Sequence, residues 1–144
     1  MAGPETSGRL SAYAAALGME IVRSESGSPV IGIDFSHNLE GRPGALHGGA
    51  IGGILETAGY AALRSALDAE GRSMRLKPIN ITVQYLRSGK TVRTEAVARI
   101  TRLGRRNANL SVEAWQGDRS KPIATAVMNV LMQEFASDAA TTSS

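Results

Sequence analysis

Cysteine is absent from the 144-residue chain, which excludes a disulfide framework, a thiolate zinc site and a thiol nucleophile. Two histidines are too few to build a metal centre without thiolate help, so no metal is expected, and with no Walker loop and no dinucleotide fingerprint after a strand no cofactor is expected. Aromatic residues are scarce, with one Trp, three Tyr and two Phe. That leaves little for stacking nucleobases, and no helix-turn-helix, zinc or RNP-type pattern occurs, so nucleic acid is not an expected partner. No apolar run approaches the roughly 20 residues that span a bilayer, so no membrane partner is expected either. The opening MAGPETSGRL lacks a cationic start followed by an apolar stretch, and the expected compartment is the cytoplasm.

What the chain does have is enough length for one ordinary core. It reads as a single domain over residues 1–134, followed by a tail over 135–144 whose small, polar composition predicts disorder. Its formal charge of +3 is unevenly spread. Residues 1–72 hold five basic and eight acidic side chains, whereas residues 73–144 hold eleven and five. An anionic ligand is therefore expected to meet the second half.

The alanine-rich segment 6–17, ended by Gly18, predicts a short helix. Residues 19–23 and 30–35 flank the turn-rich SESGSP and predict a hairpin. Residues 36–46 carry glycine and proline without a period and predict a loop. A long helix is predicted over 49–70, with Ile51, Ile54, Leu55, Ala58, Ala62 and Ala66 at three-and-four spacing and Gly71 as its stop. The period then changes to two: Ile79, Ile81, Val83 and Tyr85 alternate with Asn80, Thr82 and Gln84. Extended segments over 91–103, 107–115 and 122–132 follow, joined by short polar links, RSGK first among them. This order predicts an α+β protein ending in a four-strand antiparallel meander. One helix cannot cover so wide a flat sheet, so the sheet must curl around it or bury a face in another subunit.

The junction Gly44-Ala45-Leu46-His47-Gly48-Gly49 opens the long helix, and Glu56 is the first acid within it. Glycine costs about 1 kcal/mol relative to alanine inside a helix, yet Gly52, Gly53 and Gly59 surround Glu56. Tyr60 stands one turn beyond it. This predicts a nearly bare patch that a ligand can approach. Free N–H groups at Gly48 and Gly49 make an anion or oxyanion site. Eight residues at 1.5 Å each place Glu56 roughly 12 Å from Gly48, too far to serve one carbonyl group. A two-fold dimer with antiparallel helices would bring the Gly48 of one chain to the Glu56 of the other. The basic turns Arg87-Ser88-Gly89-Lys90 and Gly104-Arg105-Arg106 would make a phosphate site if they clustered on one edge.

His47-Gly48-Gly49, the acid at Glu56, the Gly/Ala-rich helix and the strand Ile79–Leu86 together resemble the PaaI-like acyl-CoA thioesterases of the hotdog fold. The likeness covers residues 36–132. It implies a sheet wrapped around one central helix, homodimers often paired into tetramers, and an acyl-CoA substrate. It further implies that the Gly48 amide polarises the thioester carbonyl and that Glu56 of the facing subunit activates water or attacks directly. His47 would shape the loop. Gly49, Asn38, Tyr60, Asn80 and Thr82 become candidate substrate contacts, and Arg87, Lys90, Gly104, Arg105 and Arg106 candidate CoA contacts. Many relatives carry an asparagine six positions before the histidine, where this chain has Gly41. Two further readings compete. His37 with Gly41-Arg42-Pro43 resembles the loop of acyl-carrier-protein dehydratases, which implies a hotdog hydratase. A non-catalytic module binding acyl-CoA or an acyl carrier protein is the other.

Overall fold

The computed structural model describes residues 10–135. The elements run α1 (Ala12–Ala16), β1 (Met19–Glu25), β2 (Ser28–Ile33), α2 (Gly48–Ala69), β3 (Met74–Tyr85), β4 (Thr94–Leu103), β5 (Asn107–Trp115) and β6 (Ala124–Glu134). Residues 6–9 of the expected first helix lie outside the described residues, as does the tail from 136 on. Phe135 is placed, with the Arg75 guanidinium 5.6 Å above its ring. The first helix is a single capped turn and a half: the Ser11 hydroxyl accepts from Ala14 N at 3.1 Å, and Gly18 leaves it at φ +87°. Among the described residues no helix is long and apolar enough to cross a membrane.

Six antiparallel strands form one sheet in the order β1-β2-β4-β5-β6-β3. This corrects the expected four-strand meander, which holds only for β4, β5 and β6. Helix α2 carries the chain across the sheet face from β2, and β3 lands on the outer edge of β6. The link to β4 then has to cross the ends of β6 and β5, so it occupies residues 86–93 rather than a four-residue turn. Leu86 N and Arg87 N donate to Ile123 O at 2.8 and 3.1 Å along this path.

The edge position also explains how β3 tolerates Pro78. A proline lacks the N–H a central strand requires, and here it sits opposite Val130 beside a bulge at Ile79. The strand therefore begins five residues earlier than its alternating stretch suggests.

The core lies between α2 and the inner faces of β2, β4 and β5, where Ile54, Leu55, Ala58 and Leu63 are fully buried. Alanines at 96, 98, 114, 124 and 126 line the facing strands, and their small side chains let the helix lie close. On the opposite sheet face, Val30, Val97 and Trp115 form a second small cluster, capped by the Arg119 guanidinium 4.4 Å from the indole.

The helix glycines have intramolecular neighbours, which revises the expected bare patch. A Cβ on Gly59 would collide with the buried Met128 sulfur, and one on Gly53 would meet Met19 Cε at 3.6 Å and Tyr13 Oη at 3.8 Å. These positions let strand and helix side chains close onto α2. Gly59→Ala is accordingly expected to lower stability by about 1 kcal/mol, because overpacking of roughly 1–3 kcal/mol outweighs a helix gain of about 1 kcal/mol. Denaturant unfolding measures it, and a stabilised variant would contradict the packing role.

Candidate functional site

The start of α2 is fixed by its loop. Gly41 N donates to Ala45 O and Ala45 N to Arg42 O, both at 3.0 Å, and Glu40 pairs with Leu46 as an isolated antiparallel bridge. Gly44 adopts φ +80°, a left-handed conformation that glycine adopts without strain, and its N–H is held by Glu40 Oε2 at 2.9 Å. Gly41 must stay small, since a Cβ there would lie 3.2 Å from His47 Cα.

His47 is the N-cap of α2, and its Nδ1 accepts from Gly49 N at 2.8 Å. A neutral imidazole that accepts at Nδ1 carries its proton on Nε2. Ala50 N and Ile51 N donate to His47 O at 3.0 and 3.2 Å. Among the described residues, the Gly48 amide alone in this first turn has no acceptor. Tyr85, at the end of β3, donates its hydroxyl to Gly48 O at 3.0 Å. Beside it lies an open cleft of about 630 Å³ lined by Arg42, His47, Gly48, Tyr85, Arg87 and Ser88. Gly49 is committed to the His47 cap.

Glu56 is exposed on α2, two turns from Gly48. At about 100° per residue its row runs between those of Gly52 and Gly53. The phenol oxygen of Tyr85 would lie 3.5 Å from a Cβ on Gly52, and that of Tyr13 lies 3.8 Å from the corresponding point on Gly53. Helical side chains lean toward the preceding turn, so Glu56 projects over these two glycines, with the Tyr85 phenol beside Gly52 and the Tyr13 phenol beside Gly53. Tyr60, one turn on, has a buried hydroxyl with no hydrogen-bond partner among the described residues. Burial, and then the negative charge of Glu56, raise its pKa, so the phenol keeps its proton.

Other candidates are not brought to this place. Asn80 and Thr82 pair with Asn129 and Val127 on the face of the sheet turned away from α2, and Asn129 Nδ2 donates to Asn80 Oδ1 at 2.8 Å. The period-two alternation dictates this, because Ile81 and Val83 take the inner face and pack on the core. The two basic turns sit at opposite ends of α2. Arg87 and Lys90 lie near its start, where Arg87 Nη1 donates to Pro122 O at 2.8 Å. Gly104, Arg105 and Arg106 lie near its end, where Arg72 Nη2 donates to Gly104 O at 3.2 Å and Arg105 O at 3.0 Å. They do not form one cluster, because successive turns of an antiparallel sheet alternate between its ends. Asn38 is exposed on the 3₁₀ turn His37–Leu39. His37 is 93% exposed and faces Glu40 at 3.6 Å. No three His, Asp or Glu side chains converge as a metal site among the described residues.

Sequence reasoning missed Tyr13, Tyr85 as a site residue, and Arg42, whose Nη2 donates to Ser88 Oγ at 2.9 Å. Tyr85 carried a signal, as the last inward residue of the alternating strand. Tyr13 carried none, since its role depends on how α1 docks.

Residues 43–123 match the family model of the Thioesterase superfamily. No match is found among curated protein sequences. Among solved structures, a Chromobacterium violaceum protein is 32% identical, with 86% of this chain and 85% of that chain covered and a TM-score of 0.66. A phenylacetic acid degradation-related protein from Ralstonia eutropha is 24% identical, with coverage of 85% and 91% and a TM-score of 0.73. A thioesterase from Haemophilus influenzae is 19% identical, with coverage of 87% and 85% and a TM-score of 0.77. The shared architecture is the hotdog fold.

His47→Ala should remove the cap of α2 and lower stability by about 1 kcal/mol, whereas His47→Asn, which keeps an acceptor, should recover most of that loss. Thermal unfolding of the two variants decides it, and an Ala variant as stable as the parent would contradict the cap.

Proposed function

We propose, for a chain that belongs to the thioesterase superfamily, that it hydrolyses an acyl-CoA thioester at sites shared between two copies. The family sets the reaction class as thioester hydrolysis. The observation that carries the finer reading is the pairing of an unengaged Gly48 amide with a carboxylate, Glu56, roughly 12 Å away along the same rigid helix. Each group is suited to one half of the chemistry, and the helix keeps them apart.

A second copy supplies what is missing. Strand β3 is an edge strand whose apolar residues the chain itself leaves incompletely covered: Ile81 and Val83 are half-buried, and Ile79 and Tyr85 are 54% and 56% exposed. A long edge with apolar residues is a liability unless it pairs. Two-fold pairing through β3 supports antiparallel helices with Glu56 of one copy facing Gly48 of the other.

In that arrangement the Gly48 amide donates to the thioester oxygen, where negative charge grows as the carbonyl carbon becomes tetrahedral. Acting as base, Glu56 takes a proton from water as the water oxygen bonds to that carbon. Collapse then breaks the C–S bond, and the sulfur leaves with a proton as free CoA beside the carboxylic acid. Acting as nucleophile, Glu56 would displace the thiolate to give a mixed anhydride that water cleaves. Tyr60 holds a protonated, buried phenol one turn from the carboxylate and adds no second negative charge beside it. Arg42, Arg87 and Lys90 put positive charge around the cleft, where the CoA phosphates would lie. The phenols of Tyr13 and Tyr85 offer flat walls for an aryl-acyl group, in keeping with the Ralstonia relative's association with phenylacetic acid degradation.

A panel of phenylacetyl-, benzoyl- and straight-chain acyl-CoA esters, read with a thiol reagent, tests this. Wild-type protein is expected to release thiol. Glu56→Gln and Gly48→Pro are each expected to cut kcat by about 10²–10³-fold. Proline suits the first helical position, so the second variant deletes one N–H while preserving α2. Undiminished turnover in either variant would overturn the assigned role, and binding without thiol release across the panel would make the chain a binding module.

A further inference from the structure

We infer that Gln116 is a positioning residue for the Gly48 amide, acting through the 86–93 connection; its catalytic consequence rests on the thioester hydrolysis reading above. Gln116 follows β5, far from the helix start in sequence. Its Oε1 accepts from Lys90 N at 2.9 Å, and its Nε2 donates to Lys90 O at 2.9 Å and to Thr94 Oγ1 at 3.0 Å. The carboxamide behaves as a neighbouring strand would, pairing both backbone groups of a residue that has no strand beside it. Thr94 is fully buried and passes its own hydroxyl proton to Val92 O at 3.4 Å. Both amide protons of Gln116 are thereby used, which fixes its orientation.

The next residue transmits the position. Gly89 is buried, and its carbonyl accepts from Leu46 N at 2.9 Å. A Cβ on Gly89 would lie 3.0 Å from Leu46 Cβ and 3.1 Å from Ile51 Cδ1, so the connection touches both the loop before α2 and the helix's first turn. Leu46 precedes His47, whose own N–H is held by Leu39 O at 2.6 Å. The height and direction of the Gly48 N–H are thus set by a connection that Gln116 fastens to the sheet. An oxyanion donor tolerates little misplacement: a shift of about 1 Å can cost on the order of 10²-fold in rate.

Gln116→Met, close in shape but without the amide, isolates the effect. The expected result is amide-proton exchange at Leu46 accelerated about ten-fold or more relative to β5, marking local rather than global opening. In the same variant kcat should fall about ten- to a hundred-fold with KM within about two-fold. Gln116→Glu keeps the acceptor for Lys90 N but sets a carboxylate oxygen against Lys90 O in place of a donor, and should lose at least as much kcat as the Met variant. Ser65→Ala removes a comparable bond, Ser65 Oγ to Gly27 O at 3.0 Å, at the far end of α2, and should leave kcat unchanged. Exchange at Leu46 that rises only in step with β5, or a Met variant with wild-type kcat, would overturn the proposal. If the wild-type protein cleaves no thioester, the hydrolysis reading fails by itself, and Leu46 exchange still decides whether Gln116 holds the helix start.

Discussion

A rigid helix fixes the distance between any two groups mounted on it, and the site depends on that constraint. Gly48 begins α2 and Glu56 stands two turns along, so their separation of roughly 12 Å cannot change without breaking the helix. The core holds α2 straight, with Ile54, Leu55, Ala58 and Leu63 fully buried against the sheet. Burial of each large aliphatic contributes about 1.5–3 kcal/mol, so bending the helix to bring the two groups together would sacrifice the packing that makes the domain fold. Completion by a second copy, as proposed, would leave the core intact.

The other parts of the site serve the two ends of that helical segment. At the start, Tyr85, Gly89 and Arg42 tie the loop and helix to the connection between β3 and β4. One turn before Glu56, glycines 52 and 53 leave the helix surface bare of side chains, with the Tyr85 and Tyr13 phenols beside them. The crossing connection therefore does two jobs: it returns the chain from the sheet edge, and it supports the helix terminus. A four-residue hairpin turn could do neither.

Much of the fold was legible because it follows from period and punctuation. The three-and-four spacing from Ile51 onward, ended by Gly71, placed α2 within a residue of its observed bounds Gly48–Ala69, and residues 107–115 matched β5 as observed. Strand order was not legible, because period two says which face a residue takes and nothing about which strand lies beside it. Pro78 hid the first half of β3 for a related reason: a proline is admissible only if the strand is an edge, which is a fact about topology. Asn80 and Thr82 resembled site residues by type, yet the alternation that identified the strand also turned them outward. His47, Gly48 and Glu56 could be singled out because a helix start and an acid among glycines are local features. Tyr13 and Gln116 act through contacts across the fold, which no local pattern encodes.

The claim that the site is assembled from two chains is tested most directly by mixing defects. Gly48→Pro and Glu56→Gln proteins, each nearly inactive, would be unfolded together, refolded at equal ratio and assayed for thiol release. Random pairing makes half of the dimers mixed, and each mixed dimer carries one site with an intact amide and an intact carboxylate, so recovery of about a quarter of wild-type activity is predicted. Activity no greater than the average of the two separate variants, in a mixture shown to contain mixed dimers, would contradict the account.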